Sequence, residues 1–99
     1  MTVRMPKGLN YQGQKLWKSI TAEFDIEFEP QKQRILFDAC KLADAIARLD
    51  KEADKAPLIV PGSYKQPVLH PAFAGAQTAR STLAALLARL NFEGPVEDE

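Results

Sequence analysis

From Pro30 to about Lys55 the chain contains nothing that breaks a helix, and the next breaker is Pro57. Within this run Ile35, Leu36, Ala39, Cys40, Leu42, Ala43, Ile46, Ala47 and Leu49 recur at spacings of three and four. That is the period of an apolar stripe on a helix, not the two-residue period of a strand. Pro30 suits the first turn, where its missing N–H leaves no bond unmade. A helix over this run would be about 39 Å long at 1.5 Å per residue. Such a stripe needs partners, because an amphipathic helix gains most of its stability from packing. The remaining segments are read as those partners.

A first helix is expected from about Asn10–Gln12 to Phe24, with Leu16, Trp17, Ile20 and Phe24 on one side. Trp17 is the core anchor of this helix, in preference to a base-stacking role. The core is expected to comprise Leu16, Trp17 and Ile20 of this helix with Leu36, Cys40, Ala43 and Ile46 of the long one. Phe24-Asp-Ile-Glu-Phe28 alternates apolar and acidic residues, which suits a short strand. With no partner strand nearby, an extended acidic connector pinned by its aromatic residues fits better. Lys41, Arg48, Asp38, Asp44, Asp50 and Glu52 are assigned to the solvated face of the long helix. Asp44 and Arg48 there have the spacing of a favourable i,i+4 pair.

Residues 56–71 hold four prolines and one glycine, so no helix crosses them. Pro61-Gly62 marks a turn between the apolar runs 58–60 and 67–69. A hairpin there is opposed by Pro67, which lacks a donor for a central ladder. An ordered loop packed on the helices is expected instead. A last helix is expected from Pro71 to Asn91, stopped by Gly94 and Pro95. Its residues Ala76, Ala79, Leu83, Leu86 and Leu90 alternate spacings of three and four, as in a short coiled-coil seam. That seam is either intrachain packing or an oligomer interface. The fold class is therefore all-α: a short helix, a long central helix and a returning C-terminal helix, joined by an acidic connector and a Pro/Gly-rich loop. Residues 1–9 read as a flexible basic arm, 10–92 as the helical core and oligomerisation domain, and 93–99 as an acidic tail.

The chemistry-bearing motifs are missing. The chain has no GxxxxGK[ST], HExxH, CxxC or GxSxG pattern. Asp50 and Asp54 have no histidine or third acid to complete a metal site. His70, a lone histidine before Pro71, is better placed for hydrogen bonding at a helix start than for metal binding. Cys40 lies on the apolar stripe and is read as buried and inert rather than nucleophilic. No catalytic residue, cofactor or metal is expected, and the chain is read as a non-enzyme. A single cysteine fits a reducing compartment. The N-terminal residues lack the apolar run of a signal peptide, and no segment is long and apolar enough for a membrane span.

Charge is uneven although the formal net charge is zero. Residues 1–22 carry Arg4, Lys7, Lys15 and Lys18 and no acid, whereas 23–29 carry four acids and no base. Four leading cations suit phosphate neutralisation, and each phosphate contact makes affinity salt-dependent. They are the candidate DNA-binding residues, unless they sit against the acids of 23–29.

The order of features resembles the small, all-helical small subunits of tailed-phage terminases. The likeness begins with Gly13-x-x-Leu16-Trp17, Ile20 and Phe24, followed by the Pro30 start and the Ala39-Cys40 pair. It is more specific at Gly62-x-x-x-Gln66-Pro67-Val68-x-His70-Pro71, where the family has a glycine-led turn, a Gln-x-Val step and a proline opening the last helix. Arg80, Leu83, Leu87 and Leu90-Asn91-Phe92 continue it. The likeness spans about residues 10–92. It implies a non-catalytic subunit that assembles as a homo-oligomeric ring, engages double-stranded viral DNA and regulates the large ATPase and nuclease subunit. It also implies the cytoplasm of a bacterial host as the site of action and no membrane partner. A helical protein–protein adaptor without DNA binding is the alternative.

Overall fold

A computed structural model describes residues 4–90 and contains three helices in the expected order: α1 (Tyr11–Glu23), α2 (Pro30–Asp54) and α3 (Pro71–Leu90). Between the last two lie strands β1 (Ile59–Pro61) and β2 (Pro67–Leu69). Residues 1–3 of the basic arm, the expected helix end at Asn91 and Phe92, the Gly94–Pro95 stop and the acidic segment 93–99 lie outside the described residues.

The long helix is the centre. Gly13 of α1 approaches Cys40 and Asp44, while Trp17 and Phe37 line one groove, so α1 runs antiparallel to α2. On another side of α2, Gly75 lies against Leu49, and Leu83 shares a cleft with Ile46 and Ala47, so α3 is antiparallel to α2 as well. Leu9, Trp17, Ile26, Leu36, Cys40 and Leu90 form the buried cluster, with Met5, Leu16, Ile20 and Phe37 packed against it. Six of the seven expected core residues thus fall in this cluster or at its margin, or are buried elsewhere on α2 as Ile46 is; Ala43 is half-buried. The indole N–H of Trp17 is buried without a hydrogen-bond partner among the described residues.

Three expectations need correction. Residues 4–9 are not an arm apart from the body. Leu9 is buried, Met5 packs on the core, and the Gly8 carbonyl accepts a bond from Lys41 Nζ at 3.2 Å. The acidic connector is pinned by Ile26, not by both aromatic residues. Ile26 is fully buried and Phe24 half-buried, whereas Phe28 is 86% exposed. Gln33 Nε2 donates to the carbonyls of Ile26 and Glu27, which fixes the connector to the first turn of α2.

The third correction is the Pro/Gly-rich segment, which forms an antiparallel hairpin with Val60 opposite Val68 and Pro61 opposite Pro67. Bonds from His70 N to Leu58 O and from Gly62 N to Gln66 O bracket the ladder. Hydrogen-bonded and unbonded pairs alternate in an antiparallel ladder. Pro61 and Pro67 therefore occupy an unbonded pair, where an N–H would point outward, and the ladder loses nothing. The Gly62–Gln66 pair of the motif closes the turn. Gln66 Oε1 accepts from Tyr64 N, and a Cβ on Gly62 would lie 2.7 Å from Gln66 Nε2. Lys65 takes the left-handed conformation, with φ of 65°.

Candidate nucleic-acid interface

The four candidate cations Arg4, Lys7, Lys15 and Lys18 are all exposed. None forms an ion pair with an acid among the described residues. In particular they do not sit against the acidic connector. Glu29 pairs with Lys32 at 3.1 Å, and Asp25 accepts from the Glu27 backbone. Lys15 and Lys18 share the outer face of α1 with Tyr11, at spacings of four and three. The Lys15 ammonium stands 5.9 Å from the Tyr11 ring centre.

Arg4 and the Lys15–Tyr11 pair border different clefts. Arg4 lines a groove of about 300 Å³ with Trp17, Pro30, Arg34 and Phe37, at the N-terminal end of α2. Tyr11 lies at the other end of α1, in a cleft with Arg48 and Lys51. Positions 34 and 51 of α2 are about 26 Å apart along the helix axis.

Asp44 is the residue that sequence reasoning misplaced. It was assigned to the solvated face, yet it is 5% exposed and makes no ion pair with Arg48. Its Oδ2 accepts from Asn10 N and its Oδ1 from Gly13 N, both at 2.7 Å. The first amides of a helix have no partners inside it, and a side-chain oxygen at the N-cap commonly supplies one. Here the N-cap residue Asn10 makes no side-chain capping bond. A carboxylate from the neighbouring helix does the capping instead, where the positive end of the helix dipole favours its charge. Gly13 makes this possible, because a Cβ there would lie 2.5 Å from Asp44 Oδ2 and 2.8 Å from the Cys40 carbonyl. A signal was present in the sequence. Asp44 follows Leu36 and Cys40 at steps of four, on the buried stripe, and Gly13 is the one residue of α1 that lets a neighbour approach closely.

Cys40 is buried, and its thiol is pushed up to about 12, first by burial and then by the Asp44 charge. It stays protonated at neutral pH and is a poor nucleophile. His70 serves the start of α3: its Nδ1 accepts from Ala72 N at 3.0 Å, and its carbonyl accepts from Phe73 N and Ala74 N. Pro71 fills the first position of that helix. Asp50 pairs with Arg80 of α3 at 2.6 Å, and the described residues contain no group of acids, histidines or cysteines that could hold a metal ion. No helix among them is long and apolar enough to cross a membrane.

The expected oligomer seam is divided. Ala76 and Leu90 are buried within the chain, and Leu83 faces the cleft with Ile46 and Ala47 of α2. Ala79 and Leu86 are half-buried. The seam's ends thus serve intrachain packing, the first of the two readings it allowed. Compared with known proteins, the chain matches no protein-family model, no curated protein and no solved structure.

Proposed function

We propose that this chain is a non-catalytic, DNA-engaging subunit of a viral packaging terminase, which assembles with copies of itself and regulates a large ATPase and nuclease partner. The observation that supports DNA engagement is the state of Arg4, Lys7, Lys15 and Lys18. All four are exposed and unpaired among the described residues, so their charge is available to phosphates. The motif likeness supplies the packaging role. Assembly would use the part of the seam that is not fully buried within the chain, half-buried Ala79 and Leu86, which lie seven residues apart on one side of α3.

Reversing the charge of those four residues and measuring affinity for duplex DNA at low salt tests the DNA reading. A large loss is expected, and unchanged affinity overturns it. Light scattering with and without duplex tests assembly. A closed oligomer whose mass shifts with DNA is expected, and Leu86→Glu should reduce it to smaller species without loss of helix content.

A protein-only adaptor is the second reading, and the hairpin favours it. Leu58 and Ile59 are about half exposed and Tyr64 is 91% exposed, an apolar surface that no described element covers. A monomer indifferent to DNA would select that reading.

A further inference from the structure

We infer that Lys41, Arg48 and Lys51 of α2, faced by Tyr11 and Lys15 of α1, form a second cationic track that holds the phosphate backbone of duplex DNA. This rests on the DNA-engaging reading above and adds residues that the sequence had assigned to an ordinary solvated helix face.

The argument begins with how α2 disposes of its charges. The helix carries five cations. Lys32 and Arg34 are paired, with Glu29 and Asp38 respectively. Lys41, Arg48 and Lys51 form no ion pair among the described residues, and all three are exposed. With Asp44 they fall at successive steps of three, four and three, which places all four on one stripe. That stripe borders α1 and the segment leading into it. Lys41 donates to the Gly8 carbonyl, Asp44 accepts from the amides of Asn10 and Gly13, and Arg48 and Lys51 line a cleft of about 330 Å³ with Tyr11 and Gln12.

Asp44 decides the charge of the track. An acid four residues before an arginine on a helix is its natural partner. Asp44 instead gives both oxygens to backbone amides and lies buried at the floor of the cleft. Arg48 is thereby left without an ion pair, and no other acid among the described residues lines the cleft. Across it, Lys15 over the Tyr11 ring adds a fourth cation.

The occupant follows from shape and chemistry. Lys41 and Lys51 are about 15 Å apart along a straight helix. A duplex presents one phosphate charge per roughly 1.7 Å of its axis, so a linear row of cations of this length meets several. The lysines are flexible point charges suited to backbone contacts, and the Arg48 guanidinium can take a phosphate through two parallel N–H donors. An acidic peptide would need a buried apolar anchor to bind well. The cleft offers only Ala47 and the Tyr11 ring for that purpose.

The test is fluorescence anisotropy of the full chain with a labelled duplex of arbitrary sequence, at 50 and 200 mM salt. The Arg48→Gln, Lys51→Gln double variant should bind at least about five-fold more weakly at the lower salt. Its log–log salt slope should be shallower by about 2, roughly 0.9 per lost phosphate contact. Lys65→Gln, Arg89→Gln makes the same charge change elsewhere and should leave the slope unaltered. Helix content by circular dichroism should be equal in all three proteins, because every replaced side chain is exposed. If the wild type binds duplex and R48Q/K51Q retains both affinity and slope, the track is wrong while the DNA reading stands. If the wild type fails to bind duplex, both fall. Equal losses from the two double variants would mean that only bulk charge matters, and would also overturn the track. So would poly-glutamate binding at least as tight as that of duplex, which would assign the track to an acidic protein segment.

Discussion

The two neighbours of α2 are held by opposite means. Against α3, α2 presents an apolar surface. Ala76 and Leu90 are buried, Gly75 allows Leu49 to pack at ordinary van der Waals distance, and a polar contact, Arg80 with Asp50, lies half exposed at the margin. Against α1, the contact combines the Trp17 cluster with a buried carboxylate that accepts two amides. An apolar seam tolerates small slides, because dispersion and burial are non-directional. A carboxylate bonded to two specific amides does not. The α1 contact therefore has a fixed register, and the surface proposed to meet DNA is built on it.

The largest effect is expected where that difference is removed. Asp44→Ala leaves the buried amide of Gly13 and the part-buried amide of Asn10 without their partner. Orphaned buried groups cost about 1–3 kcal/mol each, and the bonds lost were to a charged acceptor. Destabilisation of about 3 kcal/mol is expected by urea denaturation. Hydrogen exchange should show α1 opening independently of the α2–α3 pair. Asp44→Asn, which keeps one accepting oxygen, should recover part of the loss. A change under about 0.5 kcal/mol for Asp44→Ala would mean that the two contacts are held alike.

Gly13→Ala tests the same contact from the other side. In an ordinary helix interior this change stabilises by up to about 1 kcal/mol. Here the added Cβ would meet Asp44 Oδ2 at 2.5 Å and backbone oxygen of Cys40 at 2.8 Å. The helices must separate, and overpacking of this kind costs about 1–3 kcal/mol. A net loss near 2 kcal/mol is expected. Gly75→Ala, on the α3 side, meets only the Leu49 methyls at 3.5 Å and should be neutral or stabilising. Equal responses at the two glycines would erase the distinction.

These residues also show why the sequence was legible in one half of the fold and not the other. The helix limits followed from Pro30, Pro71 and the spacing of apolar residues, all of which act locally. The α3 seam was visible because its contact is apolar and periodic. Asp44 was not, since an acid on a helix is exposed unless something distant satisfies it, and the amides that do so lie 31 and 34 residues away. The hairpin was missed for a related reason. Pro67 rules out a strand only where its N–H would enter the ladder, and that parity depends on the pairing register, which no single strand reveals. Among the candidate interface residues, exposure of the four leading cations was legible. The freedom of Arg48 depended on tertiary contacts.

Cys40 sharpens the comparison through pH. Its folded thiol is raised from the ordinary 9.0 to about 12, first by burial and then by Asp44. Between these values the unfolded chain loses a proton that the folded chain retains. Stability is therefore fully present below pH 9 and falls as pH rises, by up to about 1.4 kcal/mol per unit. The quantity to measure is the difference between wild type and Cys40→Ala in urea melts from pH 8 to 10.5. The variant should lack this component of the alkaline slope. Parallel slopes would show that burial beside Asp44 does not hold the thiol protonated.

The smallest effect is expected at the ion pair that links α2 to α3. Arg80 and Asp50 are 2.6 Å apart, but their side chains are 55% and 43% exposed, so water screens them and their ordering entropy offsets part of the attraction. Pairs of this kind contribute about 0–1 kcal/mol. Arg80→Ala and Asp50→Ala should each cost less than 1 kcal/mol, and a double-mutant cycle should give a coupling below about 0.5 kcal/mol that vanishes in molar salt. The α2–α3 contact then rests on its apolar seam alone. A coupling as large as the loss at Asp44 would show instead that both neighbours of α2 are positioned by charge, and the contrast between a directional and a non-directional contact would fail.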